Sequence, residues 1–387
     1  MDISALRRDT PGAGRAIHLN AAGASLVPRP VLETMVTHLT LEAELGGYEA
    51  ADAVAGRRAE GYADLARLVG ARPGEIAFVE SATHAFDRAF YAIPFKPGDR
   101  ILTTTSEYNS NALAYVQASQ RYGTAVEVVP DDAHGTIDLE ALERSLGRGG
   151  VRLVSINHMP THDGLVNPVA DVGRLAREHG ALFLLDACQS AGQTPLDVEE
   201  IRCDLLSAAG RKFLRGPRGT GFLYVRREIM AELDPPVVDL HSADLTGPGS
   251  FTFRDDARRF ETWERSVAAE LALAEAARYA LGLGLEAISV RVRALAASFR
   301  AALADLPGIT VHDRGLEKSA IVTFTHDRFA AYDLVAALAA RGVVTRVSEQ
   351  TYRYDEGPAP RHRVRASFHY YVTEDELTEA VEILRSL

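Results

Sequence analysis

Short apolar runs alternate with amphipathic stretches between residues 17 and 285. The run EIAFVES precedes THAFDRAFYAI, DRILTTTSEY precedes NSNALAYVQASQRYG, and VRLVSINHM precedes PVADVGRLAREHG. The run ALFLLD is apolar almost throughout, which is typical of a strand buried on both faces. Strands and helices that alternate in this way predict an α/β fold with a mostly parallel sheet flanked by helices.

The pattern changes in the last third of the chain. Residues 264–305 are rich in alanine and have helical periodicity. The segments that follow have the order strand, helix, strand, strand, helix, which predicts a smaller α+β domain. We therefore expect a large domain over residues 17–285 and a small domain formed by residues 286–387 together with 1–16.

Composition and charge narrow the class of protein. The 387 residues are 47% hydrophobic and 25% charged, with a net charge of −11. This charge argues against nucleic acid or an anionic membrane as the main partner. There is no apolar signal-peptide core and no apolar run long enough to span a membrane, and the two cysteines, Cys188 and Cys203, fit no zinc motif. We expect a cytoplasmic protein without a metal site.

The loops that follow the predicted strands all carry polar or small residues. In an open parallel sheet, ligands bind beyond the carboxyl ends of the strands. We therefore expect one site to gather five loops, which are 81–84, 106–111, 157–164, 186–189 and 209–219.

One of these loops, SAAGRKFLRGPRGTGF, combines a single lysine with three arginines and four glycines. Lys212 could bind a phosphate, but Phe213 follows it and the spacing of a P-loop is absent. A solvated basic loop is a second interpretation, which the apolar neighbours weaken. The third is covalent chemistry, because a lysine at the mouth of a buried site has a lowered pKa and can form an imine with an aldehyde.

Two other loops and one strand end carry candidate residues with competing interpretations. Asp186 ends the strand ALFLLD, where a carboxylate either caps a short helix or pairs with a protonated cofactor ring. Ser81, Ala82 and Thr83 precede a helix, where small residues let backbone N–H groups bind a phosphate, although a simple helix cap is the alternative. Tyr108 either stacks on a planar cofactor or fills the core.

Through DACQSAG and SAAGRKFLRGPRGTGFLY, the chain resembles the fold-type I pyridoxal-phosphate enzymes of aminotransferase class V. This family includes cysteine desulfurases, isopenicillin N epimerase-like proteins, kynureninase and the carbon–sulfur lyase of ergothioneine biosynthesis. The resemblance extends from HLNAAGAS at 18–25 to VRASFHYYVTEDEL at 364–377. It implies pyridoxal 5'-phosphate as cofactor, an amino acid as the small-molecule substrate, and a homodimer with a shared active site.

The resemblance also implies a role for each matching residue. Lys212 would carry the Schiff base and shuttle the substrate α-proton, and Asp186 would bind the pyridine nitrogen. Gln189 and Thr161 would bind the phenolic oxygen of the cofactor, and Tyr108 would stack on its ring. The phosphate would be bound by Ala82, Thr83 and Arg211.

Substrate contacts follow from the same resemblance. Arg365 matches the arginine that binds the substrate α-carboxylate. Asn20 and Ala22 lie in a loop expected to contact the substrate. Thr262, within RFETWERSVA, corresponds to a desulfurase threonine that reaches the phosphate of the partner subunit.

The reaction is less determined than the cofactor. Desulfurases carry a mobile cysteine shortly before the carboxylate-binding arginine, and here that region, SEQTYRYDEGPAPRHRVR, contains none. The leading hypothesis is a carbon–sulfur β-lyase acting on an S-substituted cysteine or its sulfoxide, since LEAELGGYEAAD and GPRGTGFL resemble the lyase and epimerase-like branch. An aminotransferase or an epimerase remains an alternative, a desulfurase is disfavoured, and a phosphate- or nucleotide-binding protein is the non-enzymatic alternative. The roles of His158, His162, Arg215 and Arg218 stay open.

Overall fold

The computed structural model of the chain describes residues 1–349, 354 and 362–387. Its strands are β1 (Ile17–His18), β2 (Ile76–Val79), β3 (Arg100–Thr104), β4 (Ala125–Val129), β5 (Val151–Asn157), β6 (Leu182–Asp186), β7 (Leu205–Ala209), β8 (Gly221–Val225), β9 (Ala243–Gly247), β10 (Ser250–Phe253), β11 (Ile309–Val311), β12 (Ile321–His326), β13 (Val343–Val344), β14 (Arg346–Glu349) and β15 (His362–Ser367).

Its α-helices are α1 (Ile3–Arg8), α2 (Arg29–Leu45), α3 (Gly47–Ala53), α4 (Ala55–Val69), α5 (Ala82–Phe90), α6 (Asn109–Tyr122), α7 (Leu139–Gly147), α8 (Val169–Glu178), α9 (Val198–Ile201), α10 (Val267–Leu283), α11 (Leu285–Ala304), α12 (Ala331–Ala339) and α13 (Glu374–Arg385). Among the described residues, no helix is long and apolar enough to cross a bilayer.

Seven strands form the central sheet, in the order β2-β8-β7-β6-β5-β3-β4. Six run in one direction, and β8 runs against its neighbours β2 and β7. Every residue of β6 is buried, as its apolar sequence predicted. The prediction of a mostly parallel α/β sheet is therefore confirmed. Parallel pairing brings the carboxyl ends of β2, β3, β5, β6 and β7 to one edge, where the site lies.

A second sheet of four antiparallel strands has the order β11-β12-β15-β14. The strand, helix, strand, strand, helix order expected from the sequence is present, with β11 as an added short strand. The N-terminal segment joins this end of the chain, because β1 pairs with β13 and Arg7 donates to both the Tyr371 carbonyl and the Glu376 carboxylate. The Arg7 contacts join residues 1–16 to the C-terminal part of the chain. Strand β1, which the prediction placed in the large domain, also pairs with this part, and the predicted domain division stays a proposal.

Arg215 connects the loop between β7 and β8 to both ends of the chain by hydrogen bonds. It is 1% exposed and has a positive φ of 64°. Its guanidinium donates to the carbonyl of Leu26 at 2.7 Å, to the Tyr370 hydroxyl at 2.6 Å and to the Thr10 hydroxyl at 2.7 Å. It also lies 4.8 Å from the ring centre of Tyr371. All of these partners are protein groups, so Arg215 has a structural role.

Replacing Arg215 with methionine will lower the free energy of unfolding by about 3 kcal/mol, because two buried hydroxyls and a partly buried carbonyl lose their donor. Urea denaturation followed by circular dichroism measures this change. Arg218→Met is the matched control, since Arg218 is exposed on the same loop and its replacement should cost less than about 0.5 kcal/mol. Equal stability of Arg215→Met and Arg218→Met would contradict this role.

Candidate active site

A cavity of about 280 Å³ opens at the carboxyl edge of the central sheet. Eight of the residues selected from the sequence line this cavity: Ala82, Thr83, Tyr108, Thr161, Asp186, Gln189, Arg211 and Lys212. They come from five separate loops, and the parallel direction of the strands is what brings them together. No group of three or more His, Cys, Asp or Glu side chains suited to a metal occurs among the described residues.

Asp186 is the last residue of β6 and is held in one orientation. It lies in register between Asn157 of β5 and Ser207 of β7. One carboxylate oxygen accepts from the backbone N–H of Cys188 at 2.9 Å, and the other accepts from the side-chain amide of Asn111 at 3.1 Å. Asp186 caps a turn, not a helix, and is 6% exposed. A carboxylate so fixed and so little solvated is suited to pairing with a cation in the cavity.

Lys212 lies between β7 and β8, on the loop that borders the cavity. Burial lowers the pKa of its amine, while Cys188 and Asp186 act to raise it. The next residues, Phe213 and Leu214, are buried, so this part of the loop packs into the core and is not a solvated basic segment. A lysine with a lowered pKa next to a carboxylate can act both as a nucleophilic amine and as a proton carrier.

The N-terminus of α5 forms one wall of the cavity. The Ser81 hydroxyl caps this helix by accepting from the N–H of His84 at 3.1 Å, which leaves Ala82 and Thr83 to face a ligand. Gly221 permits the approach of helix and sheet, since a Cβ there would lie 2.7 Å from the Ser81 carbonyl carbon. The positive end of the helix dipole, with Arg211 and Arg218 also lining the cavity, is suited to a phosphate.

Thr161 links Gln189 to Arg365. The Thr161 hydroxyl accepts from the Gln189 amide at 2.9 Å and from the Arg365 guanidinium at 2.7 Å. Burial is the main cause that lowers the pKa of Arg365, and the positive charges of Arg211 and Arg346 lower it further, to about 10. A buried guanidinium among other cations is suited to receiving an anion, such as a carboxylate.

Asn20 and Ala22, the two residues predicted to contact the substrate, are next to the site and contact Gln189 and β15. The carbonyl of Ala22 accepts from the Gln189 amide at 3.2 Å, and the N–H of Ala22 donates to the Ser367 hydroxyl at 2.9 Å. The backbone of Asn20 forms an isolated parallel β-bridge with Ser367. The buried side-chain oxygen of Asn20 has no hydrogen-bond partner among the described residues. Neither Asn20 nor Ala22 lines the cavity formed by the described residues.

Thr262 is not brought to this cavity. It is partly exposed, and its hydroxyl donates to the Glu264 carbonyl at 3.4 Å. Within one chain it therefore does not line the cofactor cavity formed by the described residues, which leaves the predicted contact with a partner subunit as a proposal.

The two histidines left open by the sequence lie next to the site, and burial lowers the pKa of both rings. His158 donates its backbone N–H to the Asp186 carbonyl at 3.0 Å, and burial lowers the pKa of its ring to about 4. His162 contacts the Ser348 hydroxyl at 2.7 Å, and burial lowers its pKa to about 3.

Sequence reasoning missed several residues at this site, and four of them bear on its chemistry. Cys188 and Asn157 line the cavity, while Glu107 and Asn111 lie directly behind Asp186. The segment TSEYNSN contained a signal, since two polar residues flank Tyr108 at the end of a strand, but nothing in the local pattern indicated that Glu107 and Asn111 are buried.

The donors and acceptors of the site fit pyridoxal 5'-phosphate. Asp186 offers a carboxylate to a ring nitrogen, Lys212 an amine to an aldehyde, and the start of α5 offers N–H groups to a phosphate. The buried side-chain oxygen of Gln189 has no partner among the described residues, which fits a site built to hold a further polar group.

Comparison with known proteins places the chain in a family. The model of the aminotransferase class-V family matches residues 17–379. A probable cysteine desulfurase of Pyrococcus abyssi is 26% identical over 393 residues, covering 99% of this chain and 96% of the relative. Probable cysteine desulfurase 2 of Mycobacterium leprae is 28% identical, covering 100% and 97%.

Solved structures share the fold over nearly the whole chain. The apo cysteine desulfurase of Thermococcus onnurineus NA1 superposes with a TM-score of 0.91 at 24% identity, covering 99% of this chain and 97% of that one. The cystine C–S lyase C-DES, solved with its product cysteine persulfide, superposes with a TM-score of 0.88 at 22% identity, covering 98% and 99%. The chain therefore belongs to the aminotransferase class V family and is a pyridoxal-phosphate-dependent enzyme of fold type I.

Proposed function

We propose that this enzyme is a carbon–sulfur β-lyase that acts on an S-substituted cysteine or its sulfoxide. The observation that carries the proposal is the state of its two cysteines. Cys203 is fully buried, Cys188 lies against Asp186, and burial raises the pKa of both thiols. A thiol that stays protonated is a poor nucleophile. Formation of a persulfide on this chain is therefore disfavoured, whereas β-elimination needs no protein thiol.

Each residue of the site would have a separate role in this reaction. Pyridoxal phosphate, when bound, supplies an electron sink for negative charge at the substrate α-carbon. Asp186 and Gln189 would orient its ring, and Arg365 would bind the substrate α-carboxylate. Lys212, with its lowered pKa, would take the proton from the α-carbon. Cleavage of the carbon–sulfur bond would release the sulfur group, as a thiol from an S-substituted cysteine or as a sulfenic acid from its sulfoxide. Uptake of one water would then give pyruvate and ammonium.

The relatives are named after two different reactions. The curated relatives are called probable cysteine desulfurases, and C-DES is called a cystine C–S lyase. Both reactions cleave a carbon–sulfur bond of a cysteine derivative, which supports that substrate class here. An aminotransferase or an epimerase would start from the same proton removal and remains the second candidate.

The deciding experiment is product analysis with a panel of S-alkyl cysteines and their sulfoxides. We expect pyruvate and ammonium in equal amounts, with no dependence on an added 2-oxo acid. Transfer of the amino group to a 2-oxo acid, or inversion at the α-carbon without pyruvate, would replace the lyase proposal by the corresponding alternative.

Cys188→Ala separates the lyase from a desulfurase. With free cysteine as substrate and a thiol reductant present, sulfide release that disappears in Cys188→Ala would identify Cys188 as a persulfide carrier and overturn the proposal. Cys203→Ala is the matched control, because Cys203 is buried away from the cavity. We expect elimination to persist in both variants.

We also propose that a second copy of the chain completes the site. Helix α2 exposes Leu32, Val36 and Leu39 at helical spacing. A second cavity, of about 830 Å³, lies between the following helix and residues 263–267 and is bordered by the exposed rings of Tyr48 and Trp263. Apolar side chains grouped in this way favour burial against another subunit.

The mass in solution tests this proposal, and we expect twice the mass of one chain by light scattering. Leu39→Glu should weaken the dimer, because it places a charge in the apolar stripe of α2. Leu316→Glu is the control, since Leu316 is 77% exposed and lies between β11 and β12 of the second sheet. A monomeric wild-type enzyme with a full active site would contradict the shared site implied for Thr262.

A further inference from the structure

Glu107 is a buried carboxylate that none of the cofactor contacts uses. It lies shortly after the end of β3, directly before Tyr108, and it is 0% exposed. Its two oxygens accept five hydrogen bonds at 2.6 to 3.0 Å, which come from Tyr108 N, Asn111 Nδ2, Asn157 Nδ2, Thr103 Oγ1 and Tyr115 OH.

This set of donors favours the ionised form of Glu107. Three of the five donors are N–H groups, which cannot accept a hydrogen bond, and all three converge on Oε1, which favours a carboxylate there. The hydroxyls of Thr103 and Tyr115 face Oε2 and can donate to the anion. Burial, and then the charge of Asp186, opposes ionisation and raises the pKa of Glu107 to about 7. The anion is thus held by its neighbours in a place where a nearby cation would stabilise it further.

One amide joins Glu107 to the residue that borders the cavity. Asn111 Nδ2 lies 3.0 Å from Glu107 Oε1 and 3.1 Å from Asp186 Oδ2. Asn111 is buried, and the backbone N–H of Cys188 holds the other oxygen of Asp186. Asp186 therefore borders the cavity, and a second buried carboxylate, Glu107, lies behind it with a single neutral amide between them.

The described residues that donate to Glu107 carry no positive charge. Among titratable groups, Asp186 on β6 and Tyr115 on α6 act on its carboxylate, and β3 and β5 contribute the neutral Thr103 and Asn157. On the cavity side of Asp186 lie Cys188 and the amine of Lys212.

We propose that Glu107 is a positioning residue which, through Asn111, fixes Asp186 and adds a second negative charge behind it, so that the site holds a protonated heteroaromatic nitrogen. This inference rests on the proposed contact of Asp186 with the cofactor ring nitrogen. It is independent of which reaction the enzyme catalyses, because its test uses no substrate.

The test measures the protonation of the bound ring nitrogen in Glu107→Gln. Holoenzyme is prepared with ¹⁵N-labelled pyridoxal phosphate, and the nitrogen chemical shift is followed against pH. We expect the proton affinity of this nitrogen to fall about tenfold in Glu107→Gln, the equivalent of about one pKa unit. The affinity for pyridoxal phosphate should fall, while that for the analogue with carbon in place of the ring nitrogen should change less than about twofold.

Two further variants keep the test decisive. Ser155→Ala removes a buried hydroxyl that contacts Tyr115 but not Glu107, and it should leave the nitrogen shift unchanged. If Glu107→Gln does not fold, the double variant Thr103→Val, Tyr115→Phe removes both donors to Oε2 and should shift the nitrogen in the same direction. An unchanged nitrogen shift in the variant that folds, or equal losses for cofactor and analogue, overturns the proposal. An unprotonated nitrogen in the wild type would instead refute the contact with Asp186.

Discussion

Replacing Lys212 with alanine will abolish turnover and the covalent attachment of the cofactor. The lowered pKa of this amine and its place beside Asp186 equip it for both imine formation and proton transfer. Loss of the proton carrier alone costs about 10²- to 10⁴-fold in rate, so we expect turnover to fall by at least about 10³-fold. The measurements are pyruvate formation and the visible absorption band of the lysine-bound cofactor.

The site at which the cofactor is attached is simple to map, because the chain contains few lysines. The sequence contains three, Lys96, Lys212 and Lys318. Borohydride reduction of the holoenzyme, followed by peptide mass mapping, should label Lys212 alone. Lys96→Ala is the control, because Lys96 is exposed and far along the chain from the loop, and it should keep the band and the activity. A label on Lys96 or Lys318, or turnover retained in Lys212→Ala, would contradict the assignment.

The fold and the centre of the site could be predicted because their signals are local in the sequence. The apolar strands alternate visibly with helices, and Asp186 with Gln189 and Lys212 forms a motif within 27 residues of chain. The start of α5 was detectable for the same reason, since a cap and small residues follow a strand directly.

The rest depends on register and on distant pairs. Glu107 at a strand end has the sequence features of an exposed loop residue, and its burial follows from donors on three different elements. Thr161 and Arg365 are 204 positions apart, and their contact arises where the two sheets meet. Arg215 has the same local setting as Arg211, yet its partners lie at the two chain ends.

Replacing Arg365 with glutamine will reduce kcat/KM for an amino-acid substrate by about 100-fold, since a charged hydrogen bond to a carboxylate contributes up to about 3 kcal/mol. The free enzyme should not lose comparable stability. Arg365 is buried, and the charges of Arg211 and Arg346 add to burial in lowering its pKa to about 10, so its removal relieves repulsion between cations.

A substrate without the carboxylate separates this role from a structural one. The decarboxylated amine of the same S-substituted cysteine cannot use the guanidinium, so Arg365→Gln should lose less than about threefold on it. Arg365→Lys keeps the charge but loses the planar fork, and it should fall between wild type and Arg365→Gln. Thr161→Val removes the hydroxyl that holds both Arg365 and Gln189, so it should impair the two substrates more equally. Equal losses on acid and amine in Arg365→Gln would mean that Arg365 shapes the site without binding the carboxylate.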